Sequence, residues 1–234
     1  MPLSVTQLAD RHAALMATPE AFLKRNVIYL PVAGIAPAQG MHPAYFYETR
    51  SVAERQRPGV LLGVATRWAY RPYVFEVSTR NPNLGVGGAV WPPGHAQHVP
   101  RVYPVPIHWI ATRFFPTPPP PAAPPPFTWY SLTGGPNLMI TQRLTGCTFA
   151  IRVHHGDVQV AHIAPNGETG AALHARLDAH FGVGHGYTLY GRGAPYGQGR
   201  DVTIIGVRRP AGWQIYAQKM DQGTFKVRSL HRIY

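Results

Sequence analysis

Residues 147–162 constrain what this chain can fold into more than any other stretch. Cys147-Thr148-Phe149-Ala150-Ile151-Arg152-Val153-His154 alternates as a β-strand does, with Phe149, Ile151 and Val153 on the side of Cys147. Val158, Val160 and His162 share one face of the following run. His155-Gly156-Asp157 between them reads as a hairpin turn. Turn parity then decides which way His162 faces. An even turn sets it opposite Phe149 or Ile151, on the face of Cys147, and an odd turn sets it on the other face. A two-residue His155-Gly156 turn makes Cys147 and His162 diagonal neighbours, roughly 7–8 Å apart between backbones.

That geometry has chemical content because Cys147 is the only cysteine among 234 residues. A thiol and an imidazole that share a face are a candidate nucleophile and base. The competing reading is structural, since most lone cysteines are small buried hydrophobes. Alternation puts His154 on the face away from Cys147, and turn propensity accounts for Asp157. One cysteine excludes an intramolecular disulfide framework and a multi-cysteine zinc site. No metal or organic cofactor is expected.

Composition frames the fold. A hydrophobic fraction of 45% is enough for a core, while charged residues reach only 14%, below the usual quarter. With 25 prolines and 24 glycines, the chain favours short strands and long loops over a helical bundle. The net charge is +12, and nearly all of the 22 basic residues are arginine. Arginine grips carboxylate, phosphate or nucleic acid. These arginines are scattered rather than clustered, which argues against a nucleic-acid arm. No apolar run approaches ~18 residues, so no membrane-spanning helix is expected. The apolar stretch Val27–Ala36 is broken by Pro31 and Gly34 and starts far from Met1, and it reads as mature structure rather than a signal peptide.

In order along the chain, Ser4–Ala17 has helical spacing with Ser4 as cap. Thr18-Pro19-Glu20 restarts a short helix toward Lys24. Val27–Val32 reads as a strand, Ile35–His42 as loop, and Tyr45–Tyr47 as the start of a short helix or turn. Val60–Trp68 and Tyr73–Ser78 read as paired strands. Gly85–Val99 reads as a loop, with His95 and His98 on its surface. Val105–Phe114 reads as a strand. Pro116–Pro126 holds eight prolines in eleven residues and reads as a stiff polyproline II surface connector, with an SH3-type ligand as the functional alternative. Phe127–Leu132 and Asn137–Thr141 read as strands. A helix follows Pro165–Thr169, with Leu173, Leu177, His180 and Phe181 on one face and Gly182–Gly184 as its end. His185–Tyr190, Val202–Arg208, Trp213–Gln218 and Thr224–Leu230 read as strands, with a loop at Gly191–Arg200 that matches no nucleotide-binding fingerprint. Helices first, then strands, then one late helix make an α+β class: a β-sandwich of mixed sheets with flanking helices and long loops, in a single domain over residues 1–234.

Leu144-Thr145-Gly146-Cys147 resembles the Leu-Ser-Gly-Cys motif of the cytotoxic necrotizing factor deamidases, the structural group that includes Burkholderia lethal factor. Thr145 stands where the motif has serine and keeps the hydroxyl. The resemblance covers about Thr141–His162. It implies a sandwich of mixed sheets, Cys147 as nucleophile and His162 as base. Thr141, six residues before the cysteine, matches the lethal factor's orienting threonine; the necrotizing factors use a backbone carbonyl there. Backbone N–H groups of the Gly146–Cys147 segment would hold the oxyanion.

The function expected from these readings is toxin- or effector-like deamidation of a host-protein glutamine, with no cofactor. By resemblance the target is a GTPase or a translation factor. The protein would act as a monomer in the host cytosol after secretion or injection, without a visible signal peptide. The alternatives are another cysteine hydrolase or a transglutaminase on the same scaffold, or a non-enzymatic basic β-rich binding module.

Overall fold

The computed structural model describes residues 3–29, 38–49, 74–79, 101–114, 128–181, 186–191, 200–221 and 227–234. The expectations for Val60–Trp68, Gly85–Val99 with His95 and His98, Pro116–Pro126, Gly182–Gly184 and the interior of the Gly191–Arg200 loop fall outside these residues.

Among the described residues, three helices and thirteen strands follow in the order α1 (Val5–Ala17), α2 (Pro19–Arg25), β1 (Val27–Tyr29), β2 (Gly40–Thr49), β3 (Val74–Ser78), β4 (Tyr103–Ile110), β5 (Thr112–Phe114), β6 (Tyr130–Ser131), β7 (Leu138–Thr141), β8 (Thr148–His154), β9 (Asp157–Ala164), α3 (Gly170–Phe181), β10 (Tyr187–Gly191), β11 (Arg200–Arg209), β12 (Gly212–Asp221) and β13 (Val227–Arg232). The fold is α+β and β-rich, with mixed sheets and flanking helices. No described helix is long and apolar enough to cross a membrane.

The larger sheet has the order β1-β3-β2-β4-β7-β11-β12-β13, and the smaller one has β10-β8-β9-β5, with β6 also on β9. Both are mixed: β1–β3, β4–β7 and β5–β9 are parallel and the other pairs antiparallel. Alternation along the strands gives each sheet two faces, and the buried clusters sort accordingly. Ile110, Met139, Val202, Ile204 and Ile215 from the larger sheet meet Phe149, Ile151, Val160 and Tyr190 from the smaller one. On the larger sheet's other face, Phe46, Phe75, Ile107, Ile140 and Ile205 pack under Leu8 and Leu15 of α1 and Phe22 and Leu23 of α2. On the smaller sheet's other face, Ala150, Ala161 and Ile163 receive Leu173 and Leu177 of α3. The layers therefore run helix, sheet, sheet, helix.

Local chemistry explains the helix starts. Ser4 and Gln7 form a reciprocal capping box, Ser4 Oγ accepting from the Gln7 N–H and Gln7 Oε1 from the Ser4 N–H. Pro19 opens α2, where its missing N–H costs nothing. Thr18 does not cap α2 with its side chain; its hydroxyl donates back to the Ala14 carbonyl instead.

The stretch read as loop and then helix or turn is corrected: residues 40–47 lie within β2. Tertiary pairing decides it, because β2 has partners on both edges, Tyr45–Thr49 against β3 and Gly40–Phe46 against β4. Val105–Phe114 is also not one strand. The chain leaves the larger sheet after Ile110 and enters the smaller one at Thr112. The chain makes a second crossing after β7, which lies parallel to β4 with Ile110 opposite Thr141. Both crossings therefore leave the same end of the same strand pair.

Candidate active site

The hairpin has a two-residue turn at His155-Gly156, with φ of 50° and 84°. Positive φ at both central residues gives the turn the twist that suits paired strands. The even count fixes the register from His154 opposite Asp157 to Phe149 opposite His162. His162 thus shares a face with Phe149 and Val160, which line the space between the sheets. Cys147 precedes β8 by one residue, two before Phe149, and packs against that same cluster. The pairing stops at Thr148; carried one residue further, the same register sets Cys147 diagonal to His162 on that face, though no described hydrogen bond joins the two side chains.

His162 is 1% exposed, whereas Cys147 is half-buried. The imidazole Nδ1 lies 3.2 Å from Thr112 Oγ1. Nε2 is buried and has no hydrogen-bond partner among the described residues. Burial alone holds the ring well below its ordinary value near 6.5, down to about 3. Burial also pushes the Cys147 thiol above its usual range, partly offset by backbone hydrogen bonds with Gly146 and Thr145. At neutral pH the pair rests as thiol and neutral imidazole, not as a preformed ion pair.

The hydrogen bond expected from Thr141 to His162 is made by a different residue. Thr141 is fully buried, and its hydroxyl donates to the Gln142 backbone carbonyl at 2.7 Å. Thr112 occupies the position beside the ring because β5 pairs parallel with β9 and sets Thr112 directly opposite His162. The Thr112 hydroxyl donates in turn to Gln142 Oε1 at 2.6 Å. Sequence reading missed both Thr112 and Gln142. Thr112 lies 50 residues from its partner, with no local signal for the pairing. Gln142 carried one clue, an amide placed between the apolar β7 and the cysteine.

The Cys147 loop is fastened to the larger sheet at two points. Leu144 and Val202 exchange both backbone hydrogen bonds, at 2.8 and 3.2 Å. Arg143 pairs with Asp201, which is 1% exposed. Gly146 is not among the described glycines at positive φ, so the path through it needs no left-handed residue. His154 is exposed and stacks its edge against His155, on the face turned away from Cys147. On that outer face Thr148 Oγ1 lies 3.5 Å from His174 Nδ1 of α3. Among the described residues no group of three or more His, Cys, Asp or Glu is placed to hold a metal ion.

The chain matches no protein-family model and no curated protein.

Proposed function

We propose that the protein is a cysteine-dependent protein-glutamine deamidase with Cys147 as nucleophile and His162 as general base. The observation that carries the reading is the buried, unpartnered Nε2 of His162 on the face that the hairpin register shares with Cys147. The resemblance of Leu144–Cys147 to the necrotizing-factor motif supplies the reaction class and directs the first substrate tests to host GTPases and translation factors. Delivery into a host cytosol belongs to the same proposal.

Nε2 of the imidazole accepts the Cys147 thiol proton as sulfur attacks the glutamine side-chain carbonyl carbon. Backbone N–H groups of the 146–147 segment stabilise the oxyanion. The C–N bond breaks as Nε2–H returns its proton to the departing ammonia. Water then attacks the thioester carbon, losing one proton to Nε2, and the C–S bond breaks as Nε2–H returns that proton to sulfur, leaving the free thiol and a glutamic acid that ionises to glutamate. Because the resting pair is neutral, proton transfer accompanies attack rather than preceding it.

The test is mass spectrometry of a host-cell lysate incubated with the wild type and with Cys147→Ser, scoring glutamines whose amide becomes carboxylate. Wild-type-specific conversion is the expected result. Equal conversion by Cys147→Ser would remove the nucleophile. Labelled primary amine incorporated in place of water would make the protein a transglutaminase.

A second reading has its own observation. Cys147 packs against the inter-sheet cluster with its thiol neutral, as a structural cysteine does. In that case the chain is a basic β-rich binding module, and Cys147 alkylates no faster than a buried thiol in the unassisted range.

A further inference from the structure

The hydroxyl of Thr112 has one proton and two polar neighbours, Gln142 Oε1 at 2.6 Å and His162 Nδ1 at 3.2 Å. An amide oxygen can only accept. The hydroxyl proton therefore goes to Gln142, and the Thr112 oxygen faces Nδ1 with its lone pairs. Nδ1 must then carry the ring proton, which leaves Nε2 as the bare nitrogen. That is the atom with no hydrogen-bond partner among the described residues. We propose that Gln142 is a positioning residue, whose side-chain carbonyl commits His162 through Thr112 to the Nδ1–H tautomer and so makes Nε2 the proton acceptor.

The arrangement is a consequence of the two crossings between sheets. β4 and β7 end as a parallel pair at Ile110 and Thr141. Gln142 is the first residue after β7 and Thr112 the second after β4, so the two members of the relay leave the same end of that pair. Thr141 lies one step further out, its hydroxyl on the Gln142 backbone carbonyl. It steadies the peptide that presents Gln142 and does not touch the ring through any described hydrogen bond. Turning the Gln142 amide over reverses the logic: its NH2 would donate to Thr112, the hydroxyl would donate to Nδ1, and Nε2 would hold the proton. In that state His162 cannot accept a proton at Nε2. The amide orientation is therefore a two-position selector for the tautomer.

The assignment of Nε2 as catalytic base rests on the deamidase reading, but the tautomer does not. The test is a long-range proton–nitrogen correlation spectrum of the 15N-labelled full chain near neutral pH, with the His162 ring signals assigned by their loss in His162→Gln. A protonated Nδ1 beside a bare Nε2 in the wild type is the expected result. A protonated Nε2 in the wild type overturns the proposal, whatever the variants do. Gln142→Leu frees the hydroxyl to donate to Nδ1 and should populate the Nε2–H form. Gln142→Glu, an acceptor only, should restore the wild-type pattern, and Thr112→Val should abolish the preference. Unchanged ring signals in both Gln142→Leu and Thr112→Val also overturn it. In the deamidation assay Gln142→Leu should lose about tenfold in kcat with little change in KM, and Gln142→Glu should recover most of it. A tautomer that responds as stated in a protein that converts no glutamine supports the relay and removes the deamidase reading.

Discussion

Among single residues, the chemistry of the site is that of two neutral groups. Cys147→Ser should lose at least about a hundredfold in deamidation with little change in stability, because the swap is nearly isosteric and a serine hydroxyl is too weak an acid for this imidazole. Thr141→Ala should keep more activity than Thr112→Val, since only Thr112 is bonded to the ring. A thiol raised by burial predicts that alkylation of Cys147 keeps accelerating past pH ~8.5, where an ordinary thiol levels off; mass-spectrometric rates across pH check it. His162 predicts the acid behaviour. Its folded value is depressed from near 6.5 to about 3, so the unfolded chain binds the proton first. The stability it contributes is complete above pH 6.5 and is lost as pH falls through that window toward 3. His12, His108 and His174 are depressed in the same direction by burial and add to the slope. Urea unfolding of His162→Gln should show a shallower decline between those limits than the wild type.

Among elements, the β8–β9 hairpin and its turn set the site. One residue inserted at His155-Gly156 would change the parity and carry His162 to the outer face. Such a variant should lose deamidation and the His162–Thr112 contact together. Gly156 sits at φ 84° with open space where a Cβ would lie. Gly156→Ala should therefore cost about 1 kcal/mol from backbone strain alone, read as a lowered urea midpoint. Gly191 on the edge strand β10 makes the opposite demand. A Cβ there would lie 2.4 Å from Thr148 Oγ1 and 2.5 Å from His174 Nδ1. Gly191→Ala should cost about 1–3 kcal/mol by overpacking, and it should disturb β8 next to Cys147. The α2 helix is tied to β12 by Gln218, fully buried, which accepts from the Ile28 N–H and donates to the Leu23 and Asn26 carbonyls. Gln218→Leu leaves all three backbone groups without that partner and should destabilise by about 2–4 kcal/mol, with the Cys147–His162 region itself untouched.

At the scale of the whole molecule, the proposed site lies where the two sheets meet and draws residues from both. His162 and the strand that follows Cys147 belong to the smaller sheet, while Gln142 and the anchors of the Cys147 loop belong to the segment leaving the larger one. The alternating pattern and the two-residue turn made the β8–β9 hairpin, its register and the inward face of His162 readable from local residues, because a period of two and a tight turn leave few ways to pair. The Ser4 cap of α1, the proline start of α2 and the Leu173–Leu177 stripe of α3 were readable for the same reason: each is written within a turn or two of chain. What the sequence could not set is everything that depends on distant pairing. The strand at residues 40–49 looked like loop and helix because Gly40 and Pro43 break the local strand pattern ahead of the aromatic run Tyr45–Tyr47, and the pairing with β3 and β4 that overrides them is distant in sequence. Thr141 lay in the expected place along the chain, but the ring's partner is chosen by which strand lies parallel to β9. That contact joins residues 50 positions apart. Local alternation determined which side His162 faces; only the crossing of two strands from one sheet to the other decided what holds it there.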